Sequence, residues 1–537
     1  MIGGRGVGEP PLELAPAVRR RGGLDATAPV ELRATHASWV YLAGADVWKV
    51  KRPVDLGFLD FTSLEARRRD CEDEARLNQR LAPSIYLGVE PVRRGPRGLE
   101  LGGAGPVVDW AVHMRRLPDG ASAAARLARG ALAPGHLEAL AARVADFHRA
   151  ARETPAWGAR ARLRANVDEN FAETERFVGD LVDRETFEEA RAFQTRWLDE
   201  HAALLEARVA AGRIREGHGD LRLEHVYFLD DAGDAAPVVI DCVEFAERFR
   251  AGDVAADVAF LAMELDLAAR PDLAAGFLAR YAEAADDLDL YRAVDFYLSY
   301  RAWVRGKVAA LIASDEDAPP EARKRKRAEA RRDFALCRSY AGRALEPPFV
   351  VVVGGMIGSG KSTLAEALGR ALAAPVISSD RTRKALAGLG ARERGGAELY
   401  TEAARARVYD ELLRRADGVL GSGRPVVLDA TFSEARRRGQ ARELARAHGA
   451  EAVVVEVGCA EATLRARLAR RRAGGSVSDA TDAELGALAG RYEAPRPSEG
   501  PALVRVDGEL APARVVADAL AGLRREGIVP ASERVAG

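Results

Sequence analysis

The chain has 537 residues, enough at ~150 per domain for about three or four domains' worth of structure. Hydrophobic residues make up 48% and charged ones 30%, which excludes a wholly disordered chain. The 80 Lys+Arg against 81 Asp+Glu leave a net charge of −1, which argues against a nucleic-acid binder held by bulk charge.

No apolar run approaches the ~18 residues of a membrane span, so no membrane association is expected. Cys71, Cys242, Cys337 and Cys459 lie far apart without metal-like spacing and read as reduced thiols, which predicts a cytoplasmic protein. Residues 1–28 are rich in Gly, Pro and Arg and read as a disordered tail. No apolar stretch follows Met1, so no secretion signal is expected.

From Val30 to Val92 the pattern runs strand, turn, strand, helix, strand. Ser38–Leu42 and Val47–Lys51 are β-rich and flank Ala-Gly-Ala-Asp; Ser63 to Arg80 carries Leu64, Cys71 and Leu77 at helical spacing. Ile85–Val92 and Val107–Met114 are further strands. Helix is expected over about 120–215, interrupted at Pro134-Gly135 and Pro155, and again from Asp253 to Arg343. The run 315–332 is highly charged and reads as a solvated helix face. Glu346-Pro347-Pro348 marks a boundary. Beyond it, strands at Phe349–Val353, Pro375–Ser378, Pro425–Leu428, Ala452–Val457 and Leu503–Val506 alternate with helices, the signature of a parallel α/β sheet. The predicted division is therefore a module at 29–345 and another at 346–537.

The C-terminal module carries Gly355-Met-Ile-Gly358-Ser359-Gly360-Lys361-Ser362 between a buried strand and a helix beginning Ser362-Thr363. Small residues let backbone N–H groups turn onto phosphate oxygens at a helix N-terminus. Lys361 is expected on the β/γ-phosphates of ATP and Ser362 on Mg²⁺. Asp429 and Asp380 end two strands on the same side; Asp429 fits a Mg²⁺ partner and Asp380 an acceptor base, with helix capping as the alternative for both. Arg467 and Arg470 precede a Gly-Gly-Ser loop and suit a phosphoryl-transfer lid. This half, over about 348–525, resembles the small P-loop kinases of the polynucleotide-kinase, gluconate-kinase and zeta-toxin group. The resemblance implies phosphorylation of a small acceptor.

In the N-terminal module, His218-Gly-Asp220 precedes a short strand and then Ile-Asp241-Cys. Two carboxylates so placed suit a base, Asp220, and a Mg²⁺ ligand, Asp241. Lys49 and Lys51 share one face of a strand and Glu74 follows on the next helix, matching a lysine–glutamate pair that positions phosphates. Lys49 is favoured by its spacing, with Lys51 open. Together with Thr-His36-Ala-Ser38, Phe-Leu-Asp-Phe and Glu74-x-x-x-Asn78, these stretches resemble the aminoglycoside-phosphotransferase-like kinases over about 30–345, in the branch fused to a C-terminal P-loop kinase domain. The resemblance implies an α+β protein-kinase-like fold. It puts His225 where a second metal-binding Asn usually stands, and Thr35–Ser38 in place of a Gly-rich loop. It also implies an acceptor pocket within 253–310, where Asp253, Asp257, Glu264 and Asp266 are candidates to meet a cationic substrate or else act as caps and surface groups.

The expected function is an ATP- and Mg²⁺-dependent phosphotransferase with two nucleotide-binding modules acting on small hydroxyl-bearing molecules. Two competing readings are a regulatory protein with an N-terminal pseudokinase, and a nucleic-acid 5′-end kinase drawing on the basic run 321–332. The sequence names neither acceptor nor oligomeric state.

Overall fold

The computed structural model describes residues 14–529 apart from 36, 56–58, 231–235, 317, 342–346, 391–392, 394, 475–481 and 500–501. These residues form two compact units, one of residues 1–173 and 195–264, the other of 174–194 and 265–537.

The first unit is built on a six-stranded antiparallel sheet. Its strand order is Glu31–Ala34, Ser38–Ala43, Asp46–Lys51, Val107–Arg115, Tyr86–Gly95 and Gly98–Leu101. Alternation along Asp46–Lys51 sends Trp48 and Val50 to one face and Lys49 and Lys51 to the other. Trp48 and Val50 pack with Trp39, Tyr41 and Ala43 under a helix, Leu14–Arg21, which buries Leu14, Ala17 and Val18. That helix corrects the expectation of a disordered tail through residue 28: three apolar side chains on one helical face find a hydrophobic sheet, although Gly and Arg dominate the surrounding composition. Residues 1–13 lie outside the described residues.

On the other face lies the helix Leu64–Asn78, started by Ser63, whose hydroxyl accepts the Ala66 N–H at 3.1 Å. Its Cys71 and Ala75 pack with Tyr86 and Val112. The helical stretch is interrupted at Pro134 and Pro155, as expected. Each opens a helix, Pro134–Ala150 and the 3-10 turn Pro155–Gly158, at the position where a missing N–H costs nothing. The short strand after Asp220 is Val226–Tyr227, paired antiparallel with Val238–Val239 just before Asp241.

The second unit holds a five-stranded, fully parallel sheet ordered Val376–Ser378, Val426–Asp429, Phe349–Gly355, Glu451–Gly458 and Leu503–Asp507. The phosphate-loop strand is central, and Val351 and Val353 are wholly buried with Leu364, Leu368, Val453 and Val455. The helices Pro271–Ala285, Val294–Ala313 and Pro320–Ala341 belong to the same unit. Polar clasps seat the first two against the sheet. Arg424 grips Asp295 through two nitrogens, at 2.7 and 3.1 Å. Glu283 accepts the Val376 N–H at 2.6 Å, and Arg280 donates to the Ala374 carbonyl at 2.8 Å. The charged helix Pro320–Ala341 is solvated on one face and buries Phe334, Cys337 and Tyr340 on the other. No helix among the described residues is long and apolar enough to cross a membrane.

In the first unit Arg208 and Asp253 form a buried, two-point ion pair, Nε to Oδ2 at 2.6 Å and Nη2 to Oδ1 at 2.7 Å. Arg208→Ala strands a buried carboxylate and should destabilise the first unit by about 3–5 kcal/mol. The double change Arg208→Ala/Asp253→Ala should recover part of that loss. Urea denaturation of the three proteins checks both statements; equal midpoints for wild type and Arg208→Ala would refute the ion pair's importance.

Candidate active sites

In the first unit one carboxylate organises the site. Glu74 sends Oε1 to Lys49 Nζ at 2.9 Å and Oε2 to Lys51 Nζ at 2.6 Å. The two lysines then diverge. Lys49 continues to Asp241 Oδ1 at 3.2 Å, while Lys51, 1% exposed, is enclosed by Asp70 at 2.7 Å and Glu244 at 2.5 Å. The two lysines thus differ in their surroundings: Lys49 reaches Asp241, and Lys51 is buried among carboxylates. Burial opposes the charge of Lys49, but Asp241 and Glu74 outweigh it and hold the ammonium well above its ordinary pKa. Lys49 in turn holds Asp241 well below the usual carboxylate range, against burial. Burial lifts Glu244 up to about 7 despite Lys51.

Asp241 adopts φ +64°, a left-handed conformation that costs a non-glycine residue energy and needs outside support. The support comes from the helix that carries Glu74. One turn on, Asn78 accepts the Cys242 N–H at 2.8 Å, and Tyr86 accepts the Asp241 N–H at 3.3 Å. Spacing singled out Asn78 only as part of a motif; its work is to fix the backbone beside Asp241.

The Asp220 loop has its own anchor. Asp257, buried, accepts the His218 N–H at 2.6 Å and the Gly219 N–H at 2.8 Å, and touches His148 Nε2 at 3.2 Å. His218 donates from Nε2 to the Ile240 carbonyl at 3.0 Å, tying the loop to the segment that ends at Asp241. Burial pushes this imidazole down to about 4, so the ring is neutral near pH 7. Gly219 has φ +83°, and a side chain there would meet the Phe249 carbonyl at 2.7 Å. The result brings Asp220, His225 and Asp241 together, with one ligand atom from each inside 4.8 Å of the others.

The four acidic residues expected near an acceptor are committed elsewhere. Asp253 holds Arg208, Asp257 holds the Asp220 loop, and Glu264 accepts from Arg222 at 2.9 Å and the Leu223 N–H at 2.7 Å. Asp266 accepts from Tyr340 at 2.8 Å. Carboxylates so engaged hold side chains and backbone N–H groups of the protein itself. His36 and Phe58 lie outside the described residues.

In the second unit the phosphate loop leaves the central strand at Gly355 and enters the helix Lys361–Ala371 at Gly360. Gly355, Gly358 and Gly360 have φ of +144°, +87° and +98°, and a Cβ on Gly355 would sit 2.7 Å from the Val457 carbonyl. Asp429 ends its strand opposite Val353 and Ser378. It is buried, lies by Lys361 and accepts from Ser362 and Ser378, while its Oδ1 has no hydrogen-bond partner among the described residues. Burial raises its pKa, opposed chiefly by Lys361. Asp380 lies in the first turn of Ser379–Leu386 and pairs with Arg383; it does not cap that helix.

Arg467 departs from the expectation of a lid arginine free to meet phosphate. Its guanidinium is bonded to the Ser359 carbonyl at 3.0 Å, the Gly358 carbonyl at 3.4 Å and the Gly508 carbonyl at 2.7 Å, because three loop carbonyls converge on one side chain. In this conformation it braces the loop. Arg470 is exposed and lines a cavity of about 490 Å³ with Gly360, Thr363, Leu510, Pro512 and Val516. Leu510 and Pro512 carried no motif, and only their place beyond the last strand could have drawn attention to them. The lid loop 475–481 lies outside the described residues.

Residues 41–297 match a profile of the phosphotransferase enzyme family, and residues 350–495 match an AAA domain profile. Among solved structures, a gluconokinase from Sinorhizobium meliloti is 27% identical, with 33% of this chain and 93% of that chain covered and a TM-score of 0.26. An aminoglycoside phosphotransferase-like protein from Ralstonia eutropha is 12% identical over 62% of this chain and 99% of its own, with a TM-score of 0.37. The two profile matches make the chain a kinase-type phosphotransferase with two unlike domains. It is 35% identical over 470 residues to Uncharacterized protein Rv2004c of Mycobacterium tuberculosis, 86% of this chain and 90% of the relative, and equally to Uncharacterized protein Mb2027c of Mycobacterium bovis. It belongs to their family, and in this chain an aminoglycoside-phosphotransferase-like domain precedes a P-loop kinase domain.

Gly355→Ala forces a side chain toward the Val457 carbonyl in a conformation alanine disfavours by about 1–3 kcal/mol. Nucleotide affinity of the P-loop module should fall at least about tenfold, read by titration with a fluorescent nucleotide. Unchanged affinity would show that the loop does not depend on this glycine.

Proposed function

We propose that both modules transfer the γ-phosphoryl group of ATP to small hydroxyl-bearing acceptors, with a divalent ion at each site. The functional division follows 29–345 and 346–537, and the setting is cytoplasmic, in keeping with four free cysteines. The observation that carries the reading is the charge chain Glu74–Lys49–Asp241 beside Asp220: a buried carboxylate steers a lysine into a site that also holds a base and a cation ligand.

The donors fit a hard cation in both modules. Asp429 has a buried unbonded oxygen beside the Ser362 hydroxyl, and Asp241, kept ionised by Lys49, stands within reach of Asp220 and His225. A bound divalent ion supplies charge neutralisation on the phosphates. In the first module Lys49 grips the donor phosphates and Asp220 accepts the proton of the acceptor hydroxyl as the oxygen attacks. In the second, the loop N–H groups of 355–362 and Lys361 hold the β/γ-phosphates, and Asp380 is the base. Arg467 keeps the loop in shape, and Arg470 with Leu510 and Pro512 faces the nucleobase in the cavity. The ordered Lys49–Asp241 geometry favours a catalytic first module over a pseudokinase.

A screen of metabolite extract with γ-labelled ATP tests the reading. Asp220→Asn should abolish one set of labelled products by about 10²-fold or more while ATP affinity holds, since the base touches the acceptor. Lys361→Ala should abolish the other set. If Asp220→Asn leaves every product unchanged, the first module is regulatory instead; labelled oligonucleotides, with salt-sensitive binding, would identify a 5′-end kinase.

A further inference from the structure

The two cation sites are not chemically alike. In the P-loop module the donors are oxygens, the Ser362 hydroxyl and the Asp429 carboxylate. In the first module a nitrogen joins them. His225 is buried, and its Nδ1 stands 2.9 Å from the backbone carbonyl of Asp220. A carbonyl oxygen can only accept, so Nδ1 carries a proton, and Nε2 is the ring nitrogen through which a cation can be bound. That nitrogen faces Asp241 Oδ2 at 3.5 Å, with Glu224 Oε1 at 3.7 Å on the rim.

Asp241 divides its oxygens: Oδ1 meets Lys49, and Oδ2 is turned to His225. Nε2 of His225 and Oδ2 of Asp241 thus face one another at close range. Ligands on bonds of about 2.1 Å at 90–110° lie about 3.0–3.4 Å apart, so a cation drawn between these atoms needs little rearrangement. A ring held through Nδ1–H by a backbone carbonyl is how proteins orient a metal-binding imidazole.

We propose that the first module takes its divalent ion through His225 Nε2 and Asp241 Oδ2 and therefore selects an ion of the Mn²⁺ type over Mg²⁺. The inference rests on the catalytic reading of that module and names its ion. Mg²⁺ strongly prefers oxygen, whereas first-row transition ions accept imidazole. The oxygen-only P-loop site in the same chain has no such preference and serves as an internal control.

The test uses the full chain loaded with Mn²⁺ and a non-hydrolysable ATP analogue. Pulsed electron paramagnetic resonance should detect nitrogen coupled to Mn²⁺, and labelling histidine with ¹⁵N should convert the ¹⁴N pattern to ¹⁵N without any mutation. His218 cannot be the source, because its Nε2 is committed to the Ile240 carbonyl. His225→Asn should erase the coupling, keep two Mn²⁺ per chain and lower the preference for Mn²⁺ over Mg²⁺ at one site by about tenfold. Two bound Mn²⁺ without histidine coupling would overturn the ion assignment and leave the catalytic reading standing; such a result also describes a His225 that is protonated and merely ion-paired. One bound Mn²⁺, unaffected by Asp241→Asn, would overturn both.

Discussion

The N-terminal site depends on a single carboxylate buried between two ammonium groups. Glu74 cannot be held in an apolar interior without compensation, and each of its oxygens has a lysine. Lys51 neutralises the cluster from within, together with Asp70 and Glu244, and that leaves Lys49 free to extend toward Asp241. Removing Lys51 would leave Asp70, Glu74 and Glu244 without their shared cation, so Lys51 helps hold the carboxylate that positions Lys49.

On the proposed reading the two modules solve one problem, holding phosphate and a base near one another, with different backbones. The P-loop module uses the convergence of parallel strands: register puts Asp429 beside Val353 and Ser378, and the loop springs from the next two residues of the central strand. The first module has no such convergence. It brings Asp220 and Asp241 together with a web of side chain–backbone bonds from Asp257, His218, Asn78 and Tyr86, several of them buried. A web of this kind tolerates the left-handed Asp241 because its neighbours are pinned on both sides.

Much of this was legible in the sequence. The phosphate loop, the parallel alternation after Glu346, the Lys49–Glu74 pair and the two carboxylates Asp220 and Asp241 follow from local patterns, and both kinase-like classes are seen in the comparisons. What was hidden depends on partners distant in sequence. Asp257 resembles any acidic helix residue until the His218 and Gly219 N–H groups arrive from 38 or 39 positions away. Arg467 looks like a lid arginine because spacing cannot reveal that loop carbonyls 108 and 41 positions distant meet its guanidinium. The helix Leu14–Arg21 escaped because eight residues with three buried contacts are too few to outweigh Gly- and Arg-rich surroundings.

Arg467 also joins two surfaces that a nucleotide would touch at opposite ends. One nitrogen is bonded to the Ser359 carbonyl of the phosphate loop, the other to the Gly508 carbonyl, two residues before the Leu510 that lines the cavity. On the proposed reading, base recognition and phosphate placement share a mechanical link: a base that displaced the 508–512 segment would pull on the guanidinium that shapes the phosphate loop.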